Sequence, residues 1–119
     1  MTMNTSFHPI DIQTWSRGQM FHYFSVMAPT SYSMTVELSI TNFRNSLKQQ
    51  NIKFFPAYIW LVTKTLNQQV EFKVGMVDET IGYWDTLTPL YACFHEDDET
   101  ISLMWTEYND DFEVFIRVI

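Results

Sequence analysis

The sequence has 119 residues, a length that suits one domain, and its 46% apolar and 17% aromatic content is enough to build a core. Charged residues make up only 18%, which argues against a disordered chain. The formal net charge is −7, and the seven basic residues (Arg17, Arg44, Lys48, Lys53, Lys64, Lys73 and Arg117) are scattered, so neither nucleic acid nor an anionic membrane is an expected partner.

No local basic patch for an anionic cofactor is visible in the sequence. The single cysteine, Cys93, excludes a disulfide framework within the chain and fits a reducing compartment. The opening MTMNTSFHPIDIQTW has neither a basic start nor an apolar stretch and does not read as a signal peptide. The longest apolar run, residues 54–62, is far short of the roughly 20 residues that a membrane span needs. The expected location is cytoplasmic.

In chain order, residues 15–27 are expected to be helical, because Met20, Phe21, Phe24 and Met27 recur at spacings of three and four. Pro29-Thr30-Ser31 breaks that helix. YSMTVELSI at 32–40 places Met34, Val36, Leu38 and Ile40 on one face, the pattern of a half-buried strand. Thr41 is expected to N-cap a short helix that runs to Gln49.

Pro56 suits the first turn of a further helix. That helix carries Tyr58, Leu61, Val62, Thr65 and Leu66 on one side, and Ile59 and Trp60 widen the apolar surface, so burial is expected. Four strands should follow, at 72–76, 80–84, 90–94 and 100–105. Asp110 and Asp111 favour a last helix start, with Phe112, Phe115, Ile116 and Ile119 on its apolar face. That helix carries no stop signal, which suggests either an arbitrary boundary or a missing partner segment. The order is α+β rather than a regular βαβ alternation.

No residue constellation defines a reaction centre by itself. His8, before Pro9 near the terminus, and His22, on the first helix, read as surface or half-buried residues. His95 leads into Glu96, Asp97, Asp98 and Glu99, which read as a solvated acidic turn, since no second ligand stands at a zinc spacing. Cys93 lies in an apolar strand and reads as a buried, inert thiol, although alternation puts it on the same face as His95. Nucleophile-elbow, P-loop, dinucleotide-binding and metalloprotease motifs are absent from the sequence.

Five blocks taken together resemble the chloramphenicol acetyltransferase family. They are IDIQTWSR at 10–17, MTVELSIT at 34–41, KFFPAYIW at 53–60, EFKVGMVDETIGYWDTLTP at 71–89 and FHEDDETISLMWTEYNDDF at 94–112. Their order and spacing match the N-terminal half of the family. The resemblance implies the N-terminal part of a two-layer α+β fold, with a mixed sheet and packed helices. Residues 1–119 would then form a single, incomplete acetyltransferase domain.

The resemblance further implies a trimeric enzyme that transfers acetyl from acetyl-CoA to a hydroxyl of chloramphenicol, an antibiotic-resistance activity that needs no metal. A histidine from a neighbouring subunit acts as general base there, and a serine supports the oxyanion. Both belong to the family's C-terminal half, the histidine within an HHxxxDG motif. That motif does not occur in these 119 residues, so no catalytic residue is assigned to the chain and the chain alone is expected to be inactive.

By the same resemblance Phe24, Thr30, Tyr32, Leu90, Ala92, Ile101 and Leu103 fall at positions that line the acceptor pocket. Arg17 falls where the family has an arginine that orients the catalytic loop. Thr30 stands where better-known members have cysteine. Leu90, Ala92 and Ile101 replace glutamine, threonine and phenylalanine of one well-studied type, so the pocket is altered. Two other readings accompany this one: a dihydrolipoamide acyltransferase-like domain, which resembles the same architecture, and a non-catalytic binding or assembly protein that keeps the first half of the fold.

Overall fold

The computed structural model describes residues 5–119. The first four residues of the stretch read for a leader lie outside it. Its β1 strand (Phe7–Pro9) is followed by helix α1 (Gly18–His22), which passes directly into a π-helical turn at Tyr23–Met27. Helices α2 (Thr41–Gln49) and α3 (Phe54–Asn67) come next, then a 3₁₀ turn at Val70–Lys73. Strands β2 (Val74–Val77), β3 (Thr80–Trp84), β4 (Leu90–His95) and β5 (Thr100–Trp105) precede the last helix, α4 (Phe112–Val118).

The architecture is α+β, as expected, and every ladder among the described residues is antiparallel. One sheet has the order β1-β3-β2 and the other is the β4–β5 hairpin. In the β2–β3 hairpin Val77 pairs with Thr80. Its two-residue turn is Asp78 and Glu79, both at positive φ (49° and 67°), the conformation that matches the right-handed twist of the strands. Strand β1 packs on β3 where Gly82 faces Pro9. A Cβ at Gly82 would run into the His8 carbonyl and the Phe7 ring, so only glycine admits this close approach.

Several elements have the expected bounds. The helix that ends at Gln49 and the strands Thr80–Trp84 and Thr100–Trp105 lie where they were expected. Pro56 sits in the first turn of α3, as its missing N–H requires. Asp111 caps α4 by accepting from the amides of Glu113 (3.0 Å) and Val114 (3.3 Å). Phe115, on the apolar face of α4, is only 1% exposed and is the largest fully buried side chain.

Five expectations need correction. The strand expected at 72–76 runs Val74–Val77, because Phe72 and Lys73 belong to the 3₁₀ turn before it. The segment 32–40 is not a strand, because no described strand pairs with it and all of its residues are exposed. Alternation reports which side chains seek burial; it does not supply the neighbouring strand. Thr41 is the first helical residue rather than the cap; Ile40 occupies the cap position, with no side-chain bond.

Helix α3 is also not well buried. Ala57 and Thr63 are its only buried residues, while Phe55, Tyr58, Leu61 and Val62 face solvent. The first helix begins at Gly18 instead of residue 15. Turn bonds from the Thr14 and Trp15 amides to the Asp11 carbonyl precede it, and a Cβ at Gly18 would strike the Ile12 carbonyl. Among the described residues no helix is long and apolar enough to cross a membrane.

Candidate functional site

The positions expected from the resemblance to line an acceptor pocket fall into two clusters, built by different local devices. The first is the β4–β5 hairpin. Its register sets Leu90 opposite Trp105, Ala92 opposite Leu103 and Phe94 opposite Ile101. Cross-strand partners share a face, so Leu90, Ala92, Ile101 and Leu103 all stand on one side of the ribbon. That side is exposed, Leu103 at 71%. On the opposite face Tyr91 and Cys93 are half-buried. Tyr91 stacks edge-on against Phe55 of α3, and its hydroxyl lies 2.7 Å from that of the buried Thr106.

The second cluster sits at the end of the first helix. The π-helical turn carries Phe24, whose carbonyl accepts from the Thr30 amide at 3.0 Å. The Thr30 hydroxyl donates to the Ala28 carbonyl at 2.7 Å. These bonds hold Phe24 and Thr30 together as a compact corner. A π-turn inside a helix is uncommon and recurs at functional sites. Tyr32 follows the corner and is 91% exposed. Among the described residues no hydrogen bond joins this corner to the hairpin.

Arg17 occupies the cap position of α1, and its Nη1 lies 3.7 Å from Oε1 of Glu71. Both residues line a cavity of about 510 Å³ with Trp15, Val74 and Tyr83. Glu71 was not singled out by its spacing; the 3₁₀ turn at Val70–Lys73 brings it across from Arg17.

Two of the three histidines have partners. His8 is not on a loose terminus, because β1 holds it: its Nε2 lies 2.5 Å from Oδ1 of Asp85 and its ring stacks on Tyr83. Nε2 of His95 lies 2.7 Å from the Ser102 hydroxyl. Ser102 in turn pairs across the ladder with Cys93, whose thiol is half-buried. His22 ends α1 and is exposed.

The acidic stretch after His95 is a turn, as expected. Asp98 accepts from the Thr100 hydroxyl (2.6 Å) and the Thr100 amide (3.1 Å). Those bonds hold its carboxyl below the usual range, the hydroxyl contributing most. Among the described residues no group of three or more His, Cys, Asp or Glu could hold a metal ion.

A polar cleft of about 670 Å³ lies elsewhere, between the end of α3 and the loops at 85–88 and 107–110. Asn67 clamps its floor by bonding both the amide and the carbonyl of Leu87, at 2.7 and 3.2 Å. At its wall the Tyr108 hydroxyl donates to Asp110 at 2.5 Å. Desolvation pushes that hydroxyl above its ordinary pKa, and the Asp110 carboxylate adds to the shift. No sequence motif marked this cleft, since its residues come together only through the fold.

The described residues form an α+β unit, and comparison with known proteins specifies its family. The chloramphenicol acetyltransferase family model matches residues 3–119. Chloramphenicol acetyltransferases from Klebsiella sp and Escherichia coli are each 38% identical over 114 residues, 96% of this chain and 52% of theirs. The Staphylococcus aureus chloramphenicol acetyltransferase is 37% identical over 92% of this chain and 51% of its own. A solved chloramphenicol acetyltransferase superposes with a TM-score of 0.85 at 24% identity, covering 94% of this chain and 53% of the other. The chain belongs to the chloramphenicol acetyltransferase family, as an N-terminal portion of it. It spans about half the length of the curated relatives it matches.

Proposed function

We propose that this chain supplies the acceptor-pocket half of a chloramphenicol O-acetyltransferase, and that residues 1–119 form a single, incomplete domain of that enzyme. The observation that carries the reading is the β4–β5 ribbon, where Leu90, Ala92, Ile101 and Leu103 share one open apolar face. A small neutral aromatic ligand calls for a surface of this kind, mostly apolar with a few polar groups beside it. Phe24, Thr30 and Tyr32 supply the second wall. The Thr30 hydroxyl is one of the polar groups, and it is already anchored to the Ala28 carbonyl.

In the reaction the acceptor hydroxyl oxygen attacks the thioester carbonyl of acetyl-CoA. The C–O ester bond forms, the C–S bond breaks and the CoA thiolate takes up the proton that the hydroxyl gave to the base. On this reading the base lies outside these residues, because none of His8, His22 and His95 has the neighbours of an HHxxxDG motif. Arg17 acts as a positioning residue for the loop that carries the base, and Glu71 holds its guanidinium until that loop is present. The working enzyme is a cytoplasmic homotrimer, with no metal, nucleic acid or membrane in its cycle.

The test is acceptor choice. Residues 1–119 are joined to the uncovered segment of the Klebsiella relative and assayed with acetyl-CoA against chloramphenicol and dihydrolipoamide. Faster transfer to chloramphenicol is expected; preference for dihydrolipoamide would refute the assignment.

A further inference from the structure

Residues 85–89 join β3 to β4 and form neither helix nor strand. An irregular connection ordinarily keeps much of its backbone freedom. This one is gripped from outside, nearly residue by residue. The Asp85 amide donates to the Ser6 carbonyl at 3.0 Å, and the Asp85 carbonyl accepts from Nζ of Lys73 at 3.1 Å. The Thr5 hydroxyl donates to the Thr86 carbonyl (2.9 Å) and accepts from the Thr86 amide (3.2 Å). Asn67, the last residue of α3, bonds both the amide and the carbonyl of Leu87. Among the described residues no backbone hydrogen bond closes within the loop itself.

Asn67 is the side-chain grip nearest β4, and it comes from a helix. A side-chain amide holds an acceptor and a donor in one plane, so it meets the N–H and C=O of one residue as a neighbouring strand would. Helix α3 then touches the chain entering the hairpin twice. At its end Asn67 holds Leu87, and near its start Phe55 packs on Tyr91. The aromatic contact is apolar and non-directional, so it lets the strand slide. The two bonds at Leu87 are directional and do not. Just beyond them Leu90 opens β4 opposite Trp105 and begins the face that Ala92, Ile101 and Leu103 complete.

We propose that Asn67 is a positioning residue for acceptor binding: by holding both backbone groups of Leu87 it sets where β4 departs from α3, and so where Leu90 and Ala92 meet the acceptor. The inference rests on the proposed reading of the β4–β5 face as an acceptor wall. Asn67 does not stand on that face; it lines the polar cleft and acts through Leu87 and the strand that follows. Without its bonds the entry of β4 is left to the Tyr91–Phe55 contact and to the ladder with β5. The ladder gives no anchor of its own, because the two strands shift together as one ribbon. A misplacement of about 1 Å costs an enzyme up to about a hundredfold.

The test uses the 119-residue chain joined to the uncovered segment of the Klebsiella relative. Asn67→Ala should raise the KM for chloramphenicol about fivefold or more, with a much smaller effect on kcat and on the KM for acetyl-CoA. It should also speed backbone hydrogen exchange over 87–92. Gln68→Ala, at an exposed neighbour, should change none of these. A double-mutant cycle with Leu90→Ala separates positioning from mere support of the fold: the combined loss should be clearly smaller than the product of the two single losses. If Asn67→Ala does not fold, Asn67→Asp is read in the same way, since it keeps the acceptor for the Leu87 amide and loses the donor for its carbonyl. An unchanged acceptor KM in a folded variant, equal rises in both KM values, or fully multiplicative losses in the cycle overturn the inference. Should the joined parent prefer dihydrolipoamide, the proposed function fails and the same ratios are read on that acceptor. Should it acetylate neither, exchange decides alone: amides at 90–92 as protected in Asn67→Ala as in the parent overturn the inference, and faster exchange there upholds it.

Discussion

Arg17 and Glu71 face each other at 3.7 Å with both side chains largely in water, so their attraction is screened and contributes little, about 0–1 kcal/mol, to stability. The pair matters through geometry, because it holds a guanidinium at the mouth of a cavity. Leu103 is a stronger lever. A Leu side chain that goes from exposed to covered gains about 1.5–3 kcal/mol. In the completed chain Leu103→Lys should therefore raise the KM for chloramphenicol about tenfold or more, with a smaller change in kcat. An unchanged KM would remove Leu103 from the acceptor wall.

Asp98 offers a titration test. The Thr100 hydroxyl is the main cause of its lowered pKa. Thr100→Val should bring the carboxyl back toward its ordinary value, measured by NMR titration. The sign follows from linkage. The depressed pKa makes a contribution that is present above the unfolded-state value and is lost as pH falls through the folded-state value. The variant should lose that contribution at a higher pH than the parent.

Among the elements, α4 is the most fully specified. Asp111 bonds two otherwise unsatisfied amides at its start, and Phe115 is the side chain it buries. Asp111→Ala should cost about 1 kcal/mol, seen as a lower melting midpoint. Phe115→Ala should cost about 3–5 kcal/mol. Equal effects of the two would mean that α4 is held by its cap alone and not by burial.

Legibility divides along the same line. Helix α2 and strands β3 and β5 were readable because local signals, a start residue at Thr41 and short apolar runs, set their bounds. Leu90 and Ala92 stand two residues apart, as do Ile101 and Leu103. Only the ladder register shows that the two pairs share a face. Strand β1 was not readable: it has three residues, one of them Pro9, and it exists because β3 offers an edge at Gly82. The segment 32–40 was read as a strand because its pattern is that of one, but pairing is a property of two segments. The burial expected for α3 fails for the same reason. Its apolar face is written in the sequence, and nothing among the described residues covers it.

At the scale of the molecule, the chain has the local order of a folded protein and the surface of an open one. Its two hairpins are paired in register, and α4 is capped by Asp111. Its buried apolar residues are nevertheless few: Leu47, Ala57, Ile81 and Phe115. A chain of this kind is expected to bind an apolar dye and to melt with low cooperativity, and covering the exposed faces should reverse both. This links the fold to the proposed reaction. A hairpin face that is 71% exposed at Leu103 would hold an apolar ligand only weakly until another surface closed over it.

The most direct measurement is release of CoA thiol from acetyl-CoA in the presence of chloramphenicol. It is made with the 119-residue chain alone and with the chain joined to the uncovered segment of the Klebsiella relative. The account predicts no transfer above background for the chain alone and clear turnover for the joined protein. Turnover by the 119 residues alone would contradict it, because the base would then have to lie among His8, His22 and His95.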